Sequence, residues 1–545
     1  TTIVALVLVG RYLEARARAR TSDEVRALAA LGAKTARVRR PGGAEEEVPI
    51  ERLAVGDVVI VRPGEIVATD GIVLAGSSAV DESMVTGESV PVEKAGGDDV
   101  TGGTLNRSGT FRFRVTKVGA DTLLAQIVRL VEEAQGSKAP IQRLVDRIAS
   151  VFVPIVFVIA FASAAAWLVF GPQPSLGFAL TTFVAVLIIA CPCALGLATP
   201  TAIIVGTGRG ASRGILIKSA DALEAARAID VVAFDKTGTL TVGRPEMVDY
   251  MNCAGIGEDE VIRILASAEL RSEHPLASAV VEAANAKGLS LSEPTTFEAL
   301  PGRGVHATVD GHDVWIGNAD LARAHGFADL GDGMLAHHQE KGRTVLVGTI
   351  DGEAGGILAL ADTPKAAARE AIAELRRMGL RTLLISGDAR RVVEAIARAI
   401  GIDDVRAEVR PDRKAEIVAA LQAEGHRVAM VGDGVNDAPA LARADLGIAI
   451  GTGTDVAIAT ADIVLVGGDP RGVPRALRLA RSTLSTIRQN LFWAFVYNVA
   501  LIPLAAGVFY PFTGWLLSPM LAAAAMALSS VTVVTNSLRL RTVSL

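Results

Sequence analysis

The stretch Val231-Val232-Ala233-Phe234-Asp235-Lys236-Thr237-Gly238-Thr239 decides the fold of this chain. Four apolar residues bounded by a polar turn are typical of a strand that is buried on both faces. Two similar runs follow at 382–385 and 428–431, with Ala-rich segments between them. Strands that alternate with helices predict a doubly wound parallel α/β sheet, whose site lies at the carboxyl ends of its strands.

Each of these three strands is followed by a residue suited to phosphate chemistry. An aspartate at a strand end, here Asp235, can attack phosphorus and form an acyl phosphate. Mg²⁺ held by Asp235 and Asp433 would neutralise the phosphoryl oxygens. Ser386 can donate a hydrogen bond to such an oxygen, and Lys414 offers a fixed positive charge. The chain has no G-x-x-x-x-G-K-S/T loop, which excludes a P-loop ATPase.

The composition indicates a membrane protein that carries large soluble domains. The 545 residues include 54 Lys and Arg against 59 Asp and Glu, and the net charge of −5 excludes a basic nucleic-acid-binding protein. Hydrophobic residues make up 50%, too many for a disordered or ordinary soluble chain, while 21% charged residues exclude membrane spans alone. Three cysteines are too few for a disulfide scaffold.

Two tracts contain no Asp, Glu, Lys or Arg, namely 148–208 and 489–538. Each is long enough for two membrane spans and is broken near its middle by turn residues. We therefore predict helical hairpins at 148–206 and 488–538, the second beginning with a span at about 488–508. Buried core helices of a soluble protein are the alternative, which the length of the uncharged runs disfavours. Arginines cluster where the hairpins meet the soluble segments, so we expect these segments to be cytoplasmic.

The remaining segments differ in their sequence patterns and therefore in their predicted structure. Residues 1–20 are interpreted as the end of a membrane helix whose start is missing, followed by a cytoplasmic extension. Short Val/Ile-rich runs over 35–118 predict a small β domain. Helices with short strands over 246–355 predict a domain inserted into the α/β domain, whose two parts are 215–245 and 356–465.

Three motifs together resemble the P-type ion-transporting ATPases: DKTGT at 235–239, TGES at 86–89 and GDGVND at 432–437. The resemblance covers nearly the whole chain. It implies a multidomain membrane protein with α-helical transmembrane hairpins and a β-rich actuator domain. It also implies an α/β haloacid-dehalogenase-like phosphorylation domain with an inserted α+β nucleotide-binding domain. ATP and Mg²⁺ are the implied substrate and cofactor, and we expect an integral protein of the plasma membrane.

The resemblance also implies roles for individual residues. The actuator loop with Thr86 and Glu88 would hydrolyse the aspartyl phosphate, with Glu88 orienting water as a general base. Thr237 would join Asp235 and Asp433 at the Mg²⁺ ion. The residues implied to bind ATP are Glu269, His274, Gly302, Gly304, Asn436 and Asp437.

Within this family, Cys191-Pro192-Cys193 indicates the heavy-metal branch. Pro192 opens the helix, and the two thiolates suit soft ions, above all Cu(I), although Zn²⁺ also accepts sulfur. The last hairpin contains no acidic residue and resembles the copper-exporting subgroup. The residues that would complete the Cu(I) pathway are Tyr497, Asn498, Met526 and Ser529. Packing between membrane helices is an alternative role for the small polar residues of this set.

The favoured function is ATP-driven export of Cu(I), with Ag(I) as a further substrate and a cytosolic copper donor as partner. Two alternatives stay open. A Zn²⁺ or Cd²⁺ pump is disfavoured because the membrane tracts lack an acidic residue. A membrane-anchored phosphatase of the same catalytic fold is disfavoured because it needs neither the TGES loop nor the CPC helix.

Overall fold

The computed structural model describes residues 12, 32–40, 42–83, 91–136, 140–190, 193–272, 274–300, 302–325, 337–433, 437–451 and 459–544. The chain divides into two compact units. Unit 1 comprises Thr1–Ala228, Asp462–Gly467 and Arg475–Leu545, and unit 2 comprises Ile229–Ala461 and Gly468–Pro474.

Unit 1 begins with a β domain of short antiparallel strands. They are β1 (Thr35–Arg39), β2 (Glu45–Pro49), β3 (Val58–Val61), β4 (Gly71–Gly76), β5 (Ser78–Asp81), β6 (Val92–Lys94), β7 (Asp99–Val100), β8 (Leu105–Asn106) and β9 (Phe111–Val115). Six form a sheet in the order β2-β1-β3-β9-β4-β7, and three form a second sheet, β6-β5-β8. Alternate residues such as Phe111, Phe113 and Val115 are buried, because a strand presents every second side chain to the core.

Unit 1 continues with helices that lead into the first apolar tract. They are α1 (Leu123–Gly136), α2 (Pro140–Phe170), α3 (Ser175–Ile189), α4 (Cys193–Ala211) and α5 (Ala220–Ala228), with β10 (Ile215–Ile217) between the last two. The buried carboxylate of Asp70 in the β domain accepts from the backbone N–H groups of Gly102 at 2.8 Å and of Leu123 at 2.7 Å. This side chain therefore joins the β domain to the first turn of α1.

Unit 2 contains both the parallel sheet and the inserted domain. Its strands are β11 (Val231–Asp235), β12 (Glu246–Asn252), β13 (Thr296–Leu300), β14 (Gly304–Val309), β15 (His312–Gly317), β16 (Thr344–Ile350), β17 (Glu353–Ala361), β18 (Arg381–Ile385), β19 (Asp404–Arg406), β20 (Val428–Gly432) and β21 (Leu446–Ile450). Its helices are α6 (Glu258–Ala268), α7 (Pro275–Ala286), α8 (Ala319–Ala324), α9 (Ala368–Arg377), α10 (Arg390–Ile400), α11 (Lys414–Ala423) and α12 (Ala438–Arg443).

The parallel strands of unit 2 follow the order β21-β20-β11-β18-β19, so β11 lies in the centre. Every residue of β11 is buried, as its continuous apolar run predicts. The inserted domain is a six-stranded antiparallel sheet, β12-β17-β16-β15-β14-β13, with α6 and α7 packed against it. Strand β17 reaches Ala361, so this sheet extends past the predicted boundary at residue 355.

The chain then returns to unit 1, where β22 (Ile463–Leu465) pairs antiparallel with β10. The last helices are α13 (Gly472–Ala505), α14 (Tyr510–Thr513) and α15 (Pro519–Leu538). By length and composition, three helical stretches could cross a membrane: Val145–Phe170, Ser175–Ala211 and Pro519–Thr542. The second combines α3 and α4, and its residues 191–192 lie outside the described ranges. The span expected at about 488–508 is mostly helical within α13 but is not among them, because its three amides lower its mean hydropathy.

Candidate active site and membrane polar cluster

The carboxyl end of β11 holds a lysine between two aspartates. Asp235 ends β11, and Nζ of Lys414, the first residue of α11, donates to its Oδ1 at 2.6 Å. The same Nζ donates to Oδ1 of Asp437 at 2.7 Å. All three residues are buried, so these charge-assisted hydrogen bonds offset much of the cost of removing the charges from water. The predicted nucleophile and the predicted fixed cation are therefore in direct contact.

The electrostatic surroundings keep Asp235 usable as a nucleophile. Burial, reinforced by the nearby Asp437, raises the pKa of Asp235 to about 6, and Lys414 opposes this rise. Burial also acts to lower the pKa of Lys414, but the two carboxylates outweigh it and the pKa is raised. Asp235 is consequently largely ionised at neutral pH, which attack on phosphorus requires.

Two further strand ends lie at the same edge of the sheet. Ile385 of β18 is the register partner of Asp235, so Ser386 follows at this edge, where it is buried. Asp433 follows β20, and its Oδ2 would lie 3.2 Å from a Cβ added to Gly238, in the turn after β11. The structure thus brings together the strand-end residues that the sequence predicts.

The residue after the nucleophile is tied to the second strand end. Lys236 forms an ion pair with Asp388, and both belong to loops that leave the sheet. The backbone N–H of Asp388 donates to Oγ of Ser386 at 3.2 Å. Because this bond uses Ser386 as an acceptor, its own O–H remains able to donate to a phosphoryl oxygen.

The turn that follows β11 is held by two residues that sequence reasoning missed. Nζ of Lys365 donates to the carbonyl oxygen of Gly238 at 2.7 Å. Asp362 accepts from Oγ1 of Thr241 at 2.5 Å and from the backbone N–H of Gly243 at 2.9 Å. Their only signal in the sequence is an acidic and a basic residue placed directly after a long apolar strand, which is too common a pattern to assign a role.

Asp437 is predicted above to bind nucleotide, and this role stays a prediction, while the structure shows where the residue lies. It lies beside Lys414 because α12 begins directly after it, at the end of the strand next to β11. Its Oδ2 is buried and has no hydrogen-bond partner among the described residues. Burial raises the pKa of Asp437 despite Lys414, with nearby Asp433 adding to the rise. The site therefore keeps an unused carboxylate oxygen close to a second carboxylate.

These residues fit the Mg²⁺ ion that the resemblance implies. Within the described ranges, no group of three or more His, Cys, Asp or Glu side chains is placed to hold a metal ion. Mg²⁺ does not need one, because it takes one or two carboxylates and completes its shell with water and substrate phosphate. The free oxygen of Asp437 and the neighbouring Asp433 meet that need, and the predicted Thr237 is exposed in the adjoining turn.

The inserted domain contains another buried carboxylate, but without a cation. Glu269 follows α6, is 5% exposed, and its Oε2 has no hydrogen-bond partner in the part of the chain that the structure describes. Burial raises the pKa of Glu269 to about 7, and only a hydrogen bond with Ser272 opposes this. An unpaired buried acceptor suits a ligand that donates a hydrogen bond, as the amino group of a nucleotide base does.

The other residues predicted to bind nucleotide lie on neighbouring elements. His274 is exposed and caps α7, with its Nδ1 accepting from the backbone N–H of Leu276 at 3.2 Å. A Cβ added to Gly304 would lie 2.2 Å from the carbonyl oxygen of Ile316, so only glycine permits this pairing of β14 with β15. Gly302 has a φ of 73° and open space on its Cβ side. Helix α6 packs against both α7 and β14.

A neutral polar cluster joins α4, α13 and α15 in unit 1. Nδ2 of the fully buried Asn490 donates to the carbonyl oxygen of Ala198 at 3.1 Å and to Oγ of Ser537 at 2.9 Å. Its Oδ1 accepts from Nδ2 of Asn536 at 2.9 Å. The three helices joined in this way are those that carry the predicted copper residues Cys193, Tyr497, Asn498, Met526 and Ser529.

Several predicted residues fall outside what the structure describes. They are Thr86, Glu88, Cys191 and Asn436, together with the side chain of Cys193. The roles of these residues stay predictions. Ser529 is buried on α15. The half-buried members of the predicted copper set are Tyr497, Asn498 and Met526.

Comparisons with known proteins agree with the class that this fold and site define. A family model of the P-type ATPase actuator domain matches residues 30–132. Models of haloacid dehalogenase-like hydrolases match residues 229–445 and 415–477. The chain is 54% identical over 547 residues to a probable copper-transporting ATPase of Synechococcus elongatus, which covers 99% of this chain and 72% of that protein. The chain belongs to the P-type ATPase family.

Two further curated relatives show similar levels of identity to this chain. The chain is 54% identical over 544 residues to copper-transporting ATPase 1 of Rhizobium meliloti, covering 99% of this chain and 66% of that protein. It is 50% identical to a copper-exporting P-type ATPase of Legionella pneumophila, covering 100% of this chain and 74% of that protein. The chain thus spans about two thirds to three quarters of the length of these curated relatives.

The comparison with solved structures supports the same fold. A crystal structure of a zinc-transporting PIB-type ATPase in the E2·Pi state aligns with a TM-score of 0.62 at 36% identity. The alignment covers 99% of this chain and 86% of that one. The predicted family and fold class are confirmed.

Proposed function

We propose that the protein exports Cu(I), and also accepts Ag(I), by ATP hydrolysis through an aspartyl phosphate on Asp235. The observation that carries this proposal is the buried Lys414 held between Asp235 and Asp437 at the strand ends. A paired carboxylate at the end of a central parallel strand is suited to attack phosphorus and to carry the phosphoryl group afterwards.

Each predicted site residue has its own role in the transfer and hydrolysis of the phosphoryl group. Asp235 attacks the γ-phosphorus of ATP, Lys414 stabilises charge near that carboxylate, and the Ser386 hydroxyl donates to a phosphoryl oxygen. Asp235, Thr237 and Asp433 would hold Mg²⁺, with the free oxygen of Asp437 as a further ligand, and the bound ion would neutralise phosphate charge. After transport, Glu88 orients the water that hydrolyses the aspartyl phosphate.

The nucleotide is held in the inserted domain. The free Oε2 of Glu269 accepts from the adenine amino group, and His274 offers its remaining ring nitrogen. Gly302 and Gly304 let the backbone approach the nucleotide closely. The phosphatase alternative is disfavoured because the actuator domain, which matches over residues 30–132, serves no purpose in a simple phosphatase.

The choice of metal rests on ligand chemistry and on the relatives. Cys191 and Cys193 are soft ligands, and the two uncharged tracts contain no Asp, Glu, His or Lys for a harder divalent ion. Relatives named for copper are 50–54% identical, whereas the zinc-transporting structure is 36% identical. We therefore favour Cu(I), with Zn²⁺ as the second candidate because of that structural likeness.

The proposal also includes an orientation in the membrane and a protein that delivers the copper. Arginines at the ends of the apolar tracts support a cytoplasmic location for the soluble domains, and the plasma membrane is the expected membrane. Cu(I) does not occur free in a reducing cytoplasm that is rich in thiols, so a cytosolic protein would deliver it to the membrane helices.

Metal-dependent phosphorylation tests this function. With radiolabelled ATP under reducing conditions, Cu(I) or Ag(I) should raise the level of an acid-stable, hydroxylamine-sensitive phosphoenzyme, and Zn²⁺ should have little effect. The Cys191→Ser and Cys193→Ser variants should lose labelling from ATP but keep labelling from inorganic phosphate, which does not require a loaded metal site. Equal stimulation by Zn²⁺ would favour the second candidate.

A further inference from the structure

The segment from Gly472 to Leu545 has charge of one sign only. It contains no Asp or Glu and six arginines: Arg475, Arg478, Arg481, Arg488, Arg539 and Arg541. The first four precede the uncharged tract 489–538 and the last two follow it, so all six gather at the same end of the α13 and α15 membrane segments. Basic clusters directly beside membrane helices attract anionic lipid headgroups.

A groove of about 320 Å³ lies between α13 and the end of α15, and one of these arginines, Arg539, lines it. Ser482, Ser485 and Gln489 line it from one face of α13, because they are three and four residues apart. Asn536 and Arg539 line the opposite side. Among the described lining residues there are hydroxyl, amide and guanidinium donors and no acid, a set that suits a phosphate group.

The position of the groove indicates where such a phosphate comes from. Gln489 begins the uncharged tract and Leu538 ends it, so the groove lies where the helices enter the membrane. One turn farther along α13, Trp493 is exposed, and on α15 so are Leu528 and Val531. An exposed tryptophan at this level is typical of a membrane interface, and the exposed aliphatic side chains suit acyl chains. A soluble phosphate would leave this apolar surface unused.

We propose that the groove binds the phosphate of an anionic phospholipid, with Arg539 as its cation and the acyl chains along α13 and α15. The guanidinium of Arg539 already donates to Oδ1 of Asn536 at 3.2 Å, which holds it beside the groove without neutralising it. The proposal does not depend on which metal is transported, because it concerns the edge of the membrane domain and not the ion pathway.

Fluorescence quenching of Trp493 tests this site directly. The purified protein is placed in phosphatidylcholine vesicles that contain a small fraction of lipid with brominated acyl chains, either phosphatidylglycerol or phosphatidylcholine. The wild-type protein should show about fivefold enrichment of phosphatidylglycerol at Trp493, the contribution expected of one cation at the surface. The Trp493→Phe variant gives the background from the other tryptophans.

Matched variants distinguish lipid binding in the groove from general attraction of anionic lipid by the positive charge of this region. Arg539→Gln should abolish the enrichment, whereas Arg488→Gln removes the same charge from an exposed position outside the groove and should preserve it. Ser485→Leu fills the groove without changing the charge and should also abolish it. Equal losses in the two arginine variants, or an unchanged Ser485→Leu variant, would overturn the proposal. Displacement of the lipid by excess inorganic phosphate would do the same, since it would make a soluble ion the ligand.

Discussion

The strand ends of unit 2 and the membrane helices of unit 1 both bury polar groups, but they satisfy them differently. At the strand ends, Lys414 lies between Asp235 and Asp437, so the buried charges have opposite partners. Among the helices, Asn490 bonds only to neutral groups, a backbone carbonyl, a hydroxyl and an amide. Buried charge requires a counter-charge, whereas a buried amide requires only matched donors and acceptors.

This difference matches the chemistry proposed for each region. Phosphoryl transfer develops negative charge and needs fixed cations, and the strand ends supply them. A Cu(I) ion held by two thiolates carries little excess charge, so the helices around it need no acid or base. The following substitutions test whether the two regions depend on charge and on hydrogen bonding in the way their contacts indicate.

Removal of the bridging cation should have the largest effect. Lys414→Met leaves two buried carboxylates without their partner, which should cost about 3–5 kcal/mol in the free energy of unfolding. The rate of phosphorylation from ATP should fall by at least about a hundredfold, because the charge that stabilises the phosphoryl oxygens is lost. Calorimetry and the initial rate of phosphoenzyme formation measure the two effects.

The chain contains a matched control for this substitution. Lys287 also lies between two carboxylates, with Nζ 2.9 Å from Glu258 and 3.2 Å from Asp259, but the group is on the surface. Lys287→Met should therefore change the stability by less than about 1 kcal/mol and leave phosphorylation intact. Similar losses in the two variants would contradict the importance given to burial.

Glu269 is the intermediate case, a buried carboxylate with no cation. Its pKa of about 7 in the folded domain exceeds the ordinary 4.5, so its contribution to stability is full below pH 4.5 and declines as the pH rises through 7. Glu269→Gln removes this penalty and should stabilise the domain at pH 8 by about 3 kcal/mol, but not at pH 4.5. Thermal unfolding followed across this pH range provides the measurement.

The same change at an exposed position gives the control. Glu282→Gln on α7 should change the free energy of unfolding by less than about 0.5 kcal/mol, because this side chain is exposed. If the stability of Glu269→Gln depends on pH in the same way as that of the wild type, ionisation of the buried Glu269 carboxylate does not destabilise the domain, and the prediction is wrong. Weaker ATP binding by Glu269→Gln alone would further support its assignment to the nucleotide site.

Loss of the neutral membrane cluster should have the smallest effect. Asn490→Leu keeps the size of the side chain but removes its bonds to α4 and α15, each worth about 0.6 to 1.7 kcal/mol within a membrane. The apparent affinity for Cu(I) in ATP-dependent phosphorylation should fall about fivefold, while labelling from inorganic phosphate should persist. Thr532→Val, which removes a hydroxyl bonded only within its own helix, should match the wild type.

The sequence predicts the regular elements of the fold well, because their signals are local. The buried run at 231–234 predicts β11, and the uncharged tracts predict the apolar helices. The signal for the span within α13 is weaker, because the amides of Gln489, Asn490 and Asn498 lower its mean hydropathy.

The features that the sequence does not predict are contacts between residues that are far apart in the chain. The motif that contains Asp437 does not show that Lys414, 23 residues away, pairs with it. Asp362 and Lys365 support a turn more than a hundred residues earlier, and no local pattern marks them. Asp235 and Ser386 were predictable because parallel strands bring their carboxyl ends to one edge of a sheet.

Identification of the phosphorylated residue tests the central claim most directly. The protein is labelled with radioactive ATP in the presence of Cu(I), cleaved at low pH, and the labelled peptide is sequenced. We predict that the label lies on the peptide that contains Asp235, that hydroxylamine releases it, and that Asp235→Asn carries none. A hydroxylamine-sensitive label that persists in Asp235→Asn, or that maps to another peptide, would contradict the account.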